Sequence, residues 1–457
     1  MTVRNPDPGT IEALRAVEAE LNTRWPETKI DPSLERIQAL VDLLGDPQRS
    51  YPVLQIAGTN GKTSTARMLD TLLSRIGLRT GRYTSPHLQL ATERISVDGA
   101  PISPERYVEV YRDIEPYVSL VDARNDVPMS KFEVLTGMGF AAFAEAPVDA
   151  AVIEVGLGGT WDATNVADAR IAVVCPIGID HVDYLGSDLL GIAREKAGII
   201  KADSVAVLAE QQPEVAQVLL ERCADVGAEV ARQGMEFGVR DRVAAVGGQL
   251  LTLQGLGGVY EEIFLPLHGA HQANNAALAL AAAEAFFGAG PDRQLDIDAV
   301  RAAFAAVTTP GRLERVRSAP TVLVDAAHNP HGAAALAAAI GDDFAFLKLV
   351  GVLGVMGDKD VTGILTALEP VLSEVVLTTN SSPRAMDVDE LAAVARDVFG
   401  DDRIVVEPRL DDAIETAVRL AEETDDSQQA LSGSGVLVTG SVFTAGEARA
   451  LFGKEPA

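Results

Sequence analysis

Continuous apolar segments of strand length alternate with amphipathic segments of helix length through most of the chain. The segments YPVLQIA, DAAVIEV, RIAVVCPI and SVAVLAE are apolar almost throughout, as parallel strands covered on both faces are. Between the first two, Ala66, Leu69, Leu72, Leu73 and Ile76 are spaced for one face of a helix. The alternation predicts an α/β domain with a parallel sheet.

The pattern changes at two places farther along the chain. Residues 242–265 alternate short apolar stretches with Gly-rich turns and predict an antiparallel excursion. Residues 307–319 include a Pro-Gly pair and predict a linker. A second series of strand-like segments then follows: TVLVDAA, FLKLVGVLG, SEVVLTT, RIVVEP and GVLVTG. We therefore expect a large domain over residues 1–306 and a smaller α/β domain over residues 320–457.

Charge and composition exclude several classes of protein. The chain has 457 residues and a net charge of −28. No cluster of Lys and Arg offers the basic surface that nucleic acid requires. No run of roughly 18 apolar residues predicts a membrane span, and the N-terminus lacks the apolar segment of a signal peptide. With only two cysteines, a reducing compartment is favoured, and the expected location is cytoplasmic.

The segment QIAGTNGKTS, residues 55–64, joins a predicted strand to a predicted helix. A helix N-terminus offers unpaired N–H groups and partial positive charge, which suit a phosphate. Gly58 and Gly61 would let the backbone curl around the anion, Lys62 would reach the β- and γ-phosphates, and the Thr63 hydroxyl would ligate Mg²⁺. Only two residues separate the first glycine from the Gly-Lys pair, whereas the common P-loop has four. A shorter loop variant is therefore implied, and a chance match in a surface turn is the alternative.

Further motifs follow this loop in order along nearly the whole chain: TSPHL (84–88), FE (132–133), EVGLGG followed by DATN (154–165), IDHVDYLG (179–186), EKAGIIK (195–201), HQ with NAA (271–277), PGRLE (310–314), DAAHNP (325–330) and GDKD (357–360). Together they resemble the folylpolyglutamate synthases and dihydrofolate synthases of the Mur ligase superfamily. The resemblance implies a P-loop parallel-sheet ATPase domain followed by a smaller Rossmann-like α/β domain. It also implies ligation of L-glutamate to dihydropteroate or a reduced folate, with ATP as a substrate and Mg²⁺ as the metal.

The resemblance also implies roles for individual residues of these motifs. ATP would contact Gly58, Thr59, Asn60, Gly61, Lys62, Thr63, Ser64, Asn275, Arg312 and Asp325. Mg²⁺ would be held by Thr63, Ser85, Glu154 and His181. The pterin or folate would contact Lys131, Phe132, Glu133, Trp161, Asp162 and Ala163. Catalytic roles would fall on Lys62, Lys196 and His328, with Lys196 carbamylated by CO₂.

Several of these residues keep a structural interpretation beside the functional one. Glu154 ends an apolar strand, where ligands of open α/β sheets gather and where a carboxylate suits Mg²⁺, but a helix-cap partner would also fit. Imidazole is an unusual magnesium ligand, so His181 could instead be a hydrogen-bonded core histidine. Lys196 must be deprotonated and partly buried to react with CO₂. Thr160 and Trp161 stand where the family usually has Arg and Leu, which leaves the pterin contacts and the choice of acceptor open.

The chemistry of ligation explains why ATP is needed. A carboxylate and an ammonium do not condense in water, whereas a phosphoryl group moved from ATP makes an acyl phosphate that an amine can attack.

Two other functions stay open. One is a Mur-type amino-acid ligase of cell-wall synthesis, although the residues before the loop are too few for the UDP-binding domain that such ligases usually carry. The other is a nucleotide-switched NTPase. Arg312 lies in the predicted linker, which suggests that it reaches the phosphates only when the domains close. A monomer is expected.

Overall fold

The first part of the chain folds around a mixed, largely parallel sheet. The computed structural model describes residues 8–25, 31–291, 293–423 and 433–456. The strands are β1 (Val53–Ala57), β2 (Thr80–Tyr83), β3 (Ile95–Val97), β4 (Ala100–Pro101), β5 (Ala150–Glu154), β6 (Ala169–Val174), β7 (Val205–Leu208) and β8 (Glu229–Arg232). Their order is β4-β3-β2-β5-β1-β6-β7-β8. The predicted parallel pairing is confirmed from β2 to β8, whereas β3 and β4 form an antiparallel edge that the apolar pattern did not predict.

Helices cover both faces of this sheet. They are α1 (Pro8–Thr23), α2 (Glu35–Leu43), α3 (Lys62–Ile76), α4 (Pro104–Asp122), α5 (Lys131–Glu145), α6 (Val182–Leu185), α7 (Leu189–Ala197), α8 (Pro213–Val226), α9 (Ala270–Phe287) and α10 (Ile297–Ala305). Successive residues of a strand face opposite sides. Leu54 and Ile56 of β1 accordingly pack against α3 and α9, while Val53 packs on the side of α1, α2, α4 and α5.

Three antiparallel strands form a small separate sheet, β9 (Gly238–Ala245), β10 (Gly248–Gln254) and β11 (Val259–Leu265). The predicted antiparallel excursion over residues 242–265 is confirmed. Buried residues of β10 and β11, such as Leu253 and Ile263, join the same apolar cluster as α9. The small sheet therefore extends the first core.

A second sheet holds the C-terminal part of the chain. Its strands are β12 (Glu314–Ser318), β13 (Thr321–Val324), β14 (Lys348–Leu353), β15 (Glu374–Leu377), β16 (Ile404–Val406) and β17 (Ser434–Thr439), in the order β12-β13-β17-β14-β15-β16. Helices α11 (Pro330–Asp343), α12 (Val361–Leu368) and α13 (Val388–Phe399) cover one face, and α14 (Leu410–Glu422) and α15 (Val442–Leu451) cover the other. Strand β12 pairs antiparallel with β13, so part of the predicted linker 307–319 belongs to the second sheet.

The topology brings the polar motifs to one edge of the first sheet. The carboxyl ends of neighbouring parallel strands lie at the same edge, and β5, β1 and β6 are neighbours. Glu154 at the end of β5, the loop after β1 and the segment after β6 therefore meet there. No helix among the described residues is long and apolar enough to cross a membrane.

Candidate active site

The loop between β1 and α3 can be built only with glycine at two positions. Gly58 and Gly61 have φ of 144° and 88°, which side-chain-bearing residues rarely adopt. A Cβ on Gly58 would lie 2.6 Å from Cβ of Cys175, and one on Gly61 would lie 2.7 Å from Oδ1 of Asn275. Helix α3 begins directly after Gly61, and no side chain caps it. Its first N–H groups are therefore available to an anion.

Lys62 and Thr63 point to different parts of the loop. The Lys62 ammonium donates to the carbonyls of Gly58 and Thr59, both at 3.1 Å, so it lies folded over the loop. The Thr63 hydroxyl donates to a carboxylate oxygen of Glu154 at 2.9 Å. Burial raises the pKa of Glu154, with the charge of Lys62 as the largest opposing effect and the Ser85 N–H as a further one. Three of the four predicted magnesium ligands thus come together.

His181, the fourth, lies in the wall of the same cavity. Its backbone is left-handed, with φ of 54°, and its Nε2 is 3.8 Å from a carboxylate oxygen of Asp180. Burial lowers its pKa to about 3, so the ring is neutral. The contacts of the described residues give it no bond to Thr63, Ser85 or Glu154. The predicted metal role of His181 stays a prediction.

Lys196 lies beneath the phosphate loop. Its side chain is buried, and its ammonium donates to the Gly58 carbonyl at 2.9 Å. Burial, followed by the charge of Lys62, lowers its pKa to about 7. A fraction of this amine is therefore unprotonated near neutral pH, and Lys196 is not a surface lysine.

Asn275 lies against the loop from the side of α9. Its side-chain amide donates to Oε1 of Gln272 at 3.1 Å, and the Gln272 amide donates in turn to the Ser64 hydroxyl at 3.4 Å. All three side chains are buried. The predicted ATP-binding position Asn275 is thus next to Gly61, and the sequence did not predict its link to Ser64 through Gln272.

Asp325 and Arg312 bring the second domain to the cavity. The Asp325 carboxylate accepts from the backbone N–H groups of Leu313 at 2.7 Å and of Ala327 at 2.8 Å. It therefore fixes the turn that presents Arg312. Burial raises the pKa of Asp325, and Arg312 is the largest opposing effect. Arg312 also lies within electrostatic reach of Glu154.

A set of direct bonds joins the two domains at the loop. The side-chain amides of Asn60 and Asn329 donate to each other, at 3.2 and 3.1 Å. Asn329 also donates to Asp180 at 2.9 Å, and the Lys359 ammonium donates to the other oxygen of Asp180 at 2.7 Å. The predicted site included neither Asp180 nor Lys359, although both lie in the quoted motifs IDHVDYLG and GDKD. His328 lies next to this set, with Nε2 3.7 Å from Asp180 and Nδ1 2.9 Å from the Ala326 carbonyl.

The predicted pterin residues line another part of the same cavity, which we call the pterin half, whereas the phosphate loop, Glu154 and Asn275 line the nucleotide half. The ring of Phe132 lies against Gly156, where a Cβ would be 2.4 Å away, and is tilted on Tyr83 with the ring centroids 6.2 Å apart. The backbone N–H of Trp161 donates to the Glu195 carboxylate at 3.3 Å. Lys131 and Ala163 also line this half.

The two predicted carboxylates of this half are engaged by the protein itself. Glu133 pairs with the Arg36 guanidinium at 3.0 Å and accepts from the Ser130 N–H at 2.7 Å. Asp162 accepts from the N–H groups of Leu157 and Thr164, both at 2.9 Å. Both carboxylates therefore shape the wall, and the participation of Arg36 from α2 was not predicted.

The two halves form one continuous cavity of about 1140 Å³. The phosphate loop lies on one side of it, Phe132 and Trp161 on another, and Arg312, His328 and Arg384 approach from the second domain. The cavity is larger than the range of about 300–1000 Å³ that is usual for small-ligand sites.

Comparison with known proteins agrees with this geometry. Residues 130–283 match the Mur ligase middle domain, and residues 311–442 match the glutamate ligase domain of Mur ligases. The dihydrofolate synthase/folylpolyglutamate synthase of Mycobacterium tuberculosis is 60% identical over 99% of this chain and 96% of its own length. The corresponding protein of Bacillus subtilis is 31% identical over 91% of this chain and 93% of its own length.

Solved structures show the same similarity in three dimensions. M. tuberculosis folylpolyglutamate synthase complexed with ADP superposes with a TM-score of 0.94 at 60% identity, covering 98% of this chain and 100% of that one. E. coli FolC in complex with DHPP and ADP superposes with a TM-score of 0.83 at 30% identity, covering 96% and 97%. The fold is therefore that of proteins solved with a nucleotide.

Proposed function

The chain belongs to the dihydrofolate synthase/folylpolyglutamate synthase family of Mur ligases, and on that premise we propose how its residues share the reaction. The enzyme is an ATP-dependent, ADP-forming glutamate ligase. We infer that its acceptor is dihydropteroate, a reduced folate or both, and that the acceptor is activated as an acyl phosphate. The observation that carries this proposal is the single cavity in which the phosphate loop faces an aromatic wall.

The phosphate loop binds ATP through its backbone and Lys62. The N–H groups at the start of α3 face the cavity, and Lys62 is close enough to exchange the carbonyls of Gly58 and Thr59 for phosphate oxygens. Placing positive charge where the transferred phosphoryl group bears negative charge lowers the barrier to transfer. Asn275 and Gln272 support the loop from α9, and Arg312 adds charge from the second domain.

The residues around Glu154 fit a magnesium ion. Among the described residues, no three His, Cys, Asp or Glu side chains form a protein-only metal site. Mg²⁺, however, is commonly held by one or two carboxylates, hydroxyls, waters and substrate phosphates. The buried Glu154 carboxylate and the Thr63 hydroxyl, 2.9 Å apart, form such a set, with Ser85 beside them and His181 as the fourth proposed ligand. When bound, the metal would neutralise phosphate charge.

Lys196 is proposed to react with CO₂ to form a carbamate. Its burial and its pKa of about 7 provide the unprotonated amine that this reaction needs. The amine nitrogen forms an N–C bond to CO₂, the electrons of one C=O π bond move to oxygen, and the nitrogen loses a proton to water, so an anionic group replaces the ammonium. Such a group next to Gly58 would offer an oxygen ligand toward the metal side of the loop.

His328 is assigned to positioning the amine of glutamate. Burial lowers its pKa to about 4, which is too low for a base that removes protons near neutral pH. With Nδ1 bonded to the Ala326 carbonyl, the neutral ring offers Nε2 as an acceptor. The free amine then attacks the acyl phosphate, the C–N bond forms, phosphate leaves with the C–O bond electrons, and the surplus proton of the nitrogen passes to the departing phosphate or to water.

One chain supplies both halves of the cavity, which supports a monomer as the active form. Arg312 reaches the nucleotide half from the second domain, and Asn60 and Asn329 join the domains at the loop. We expect the domains to close further around ATP and acceptor. Equal solution radii with and without both ligands would contradict that closure.

Mass spectra of the products test the function directly. The enzyme is incubated with ATP and L-glutamate, and with dihydropteroate or tetrahydrofolate in turn. Added glutamate residues on either acceptor, together with ADP release that requires both glutamate and acceptor, are expected. ADP release that is indifferent to both substrates would favour a nucleotide-switched NTPase and would remove the proposal.

A further inference from the structure

Helix α1 contributes one face to the pterin half of the cavity. Glu18 and Asn22 of α1 line the cavity together with Trp25, which lies two residues beyond the end of the helix, and a spacing of four residues places Glu18 and Asn22 on one helix face. The Lys131 ammonium donates to Asn22 Oδ1 at 2.9 Å, and the Lys131 N–H donates to the Trp25 carbonyl at 3.0 Å. This face of α1 is therefore fixed directly beside Phe132.

Glu18 differs from the other acids that line the cavity. Those acids are Asp31, Glu133, Glu154, Asp162, Asp180, Glu210 and Asp325. Apart from the exposed Glu210, each has a bond to a side chain or backbone N–H of the protein. Glu210 lies beside Gln233, which bonds to Asn274 of α9 in the nucleotide half. Glu18 is thus a half-buried carboxylate whose bond within the protein comes from the Ala91 N–H alone among the described contacts.

The surroundings of Glu18 favour a ligand that donates hydrogen bonds. Burial raises the pKa of Glu18. The charge of Lys131 opposes this rise most strongly, followed by the hydrogen bond from the Ala91 N–H. A carboxylate removed from water without a full set of partners carries an unfavourable desolvation cost. Two adjacent donors on a ligand would offset that cost, because a carboxylate accepts a two-pronged donor with both oxygens.

We propose that Glu18 recognises the 2-amino-4-oxo edge of the acceptor's pterin ring. That edge presents two neighbouring donors, the 2-amino group and N3–H, and one acceptor, the 4-oxo group. The carboxylate receives the two donors, Asn22 and Lys131 lie next to it as donors for the 4-oxo group, and Phe132 contacts the ring. This inference rests on the proposed function, since it needs a pterin-bearing acceptor.

The test compares two acceptors in Glu18→Gln and in a matched control. The acceptors are dihydropteroate and an analogue with a methyl group in place of the 2-amino group. In wild type, kcat/KM should be roughly ten- to hundredfold higher for dihydropteroate than for the methyl analogue, because this is the factor that one charge-assisted hydrogen bond contributes. Glu18→Gln should bring that ratio close to one, with the KM of ATP unchanged. Glu12→Gln, which alters an exposed acid of the same helix, should keep the wild-type ratio.

Three results would overturn the inference in different ways. An unchanged ratio in Glu18→Gln means that Glu18 does not read the 2-amino group. An equal loss with both acceptors means that Glu18 only supports the packing of α1. If wild type adds glutamate to neither acceptor nor to tetrahydrofolate, the proposed function falls and the inference falls with it.

Discussion

The nucleotide half and the pterin half of the cavity are built in different ways. In the nucleotide half, the loop after β1 is shaped by backbone constraints at Gly58 and Gly61, and its side chains bond to the loop's own carbonyls and to Glu154. In the pterin half, the wall is assembled from α1, α2, α5 and the turn at Trp161, and its two predicted carboxylates bind other protein groups. Under the proposed function, phosphate binding would therefore depend on one short segment, and acceptor binding on the packing of several.

Lys62→Ala is the largest expected disruption of the nucleotide half. Without the ammonium, the charge of the transferred phosphoryl group lacks its main side-chain partner, and kcat should fall by roughly 10²- to 10³-fold with either acceptor. The variant is followed by glutamate-dependent ADP release. Lys201→Ala is the matched control, because Lys201 bonds to the Asn165 and Ala167 carbonyls away from the loop. Ligation at the normal rate by Lys62→Ala would contradict the assignment.

Substitution of Lys196 should have the next largest effect, and the protonation of Lys196 should make the activity depend on pH. Its pKa is lowered from 10.5 to about 7, so the reactive neutral amine is populated above that pH and lost below it. Activity should rise with pH through about 7 and depend on bicarbonate. Lys196→Ala should lower activity by roughly ten- to hundredfold, which is a typical effect of disturbing groups around a metal. Small carboxylic acids should restore part of the lost activity. A bicarbonate-independent profile would argue against the carbamate.

The difference between the halves also explains how much the sequence could predict. The contact of Thr63 with Glu154 follows from adjacent parallel strands, so the motifs and the topology together predict it. The pair of Asp180 and Lys359 joins residues 179 positions apart, and its geometry depends on how two domains meet. Glu133 was predicted to contact the pterin, a role that stays untested, and its bond to Arg36 depends on the position of α2. Backbone-determined sites are visible in sequence, whereas side-chain partners across packed elements are not.

Phe132→Leu tests the pterin half with a smaller effect. Leucine keeps much of the apolar volume against Gly156 but removes the aromatic face, so the KM of dihydropteroate should rise roughly three- to tenfold. The KM of ATP should not change, because Phe132 has no contact with the phosphate loop among the described bonds. Phe140→Leu, which alters a buried ring of the same helix, serves as the control for packing. A rise in both KM values would mean that the two halves are not separable.

Asn329→Ser should give the smallest effect and tests the junction of the halves. Asn329 has two roles, since its oxygen caps α11 by accepting from the Gly332 N–H at 2.8 Å while its amide bonds to Asn60 and Asp180. Serine retains the cap but is too short for the other two bonds. The KM of ATP should rise roughly two- to tenfold, the value of one or two lost hydrogen bonds, while the melting temperature stays near that of wild type.

Asn329→Ala is the control, because it also removes the cap. It should show the same KM of ATP as Asn329→Ser and a lower melting temperature. If serine leaves the KM of ATP unchanged, the loop does not sense the second domain through Asn60, and the nucleotide half is independent of domain position.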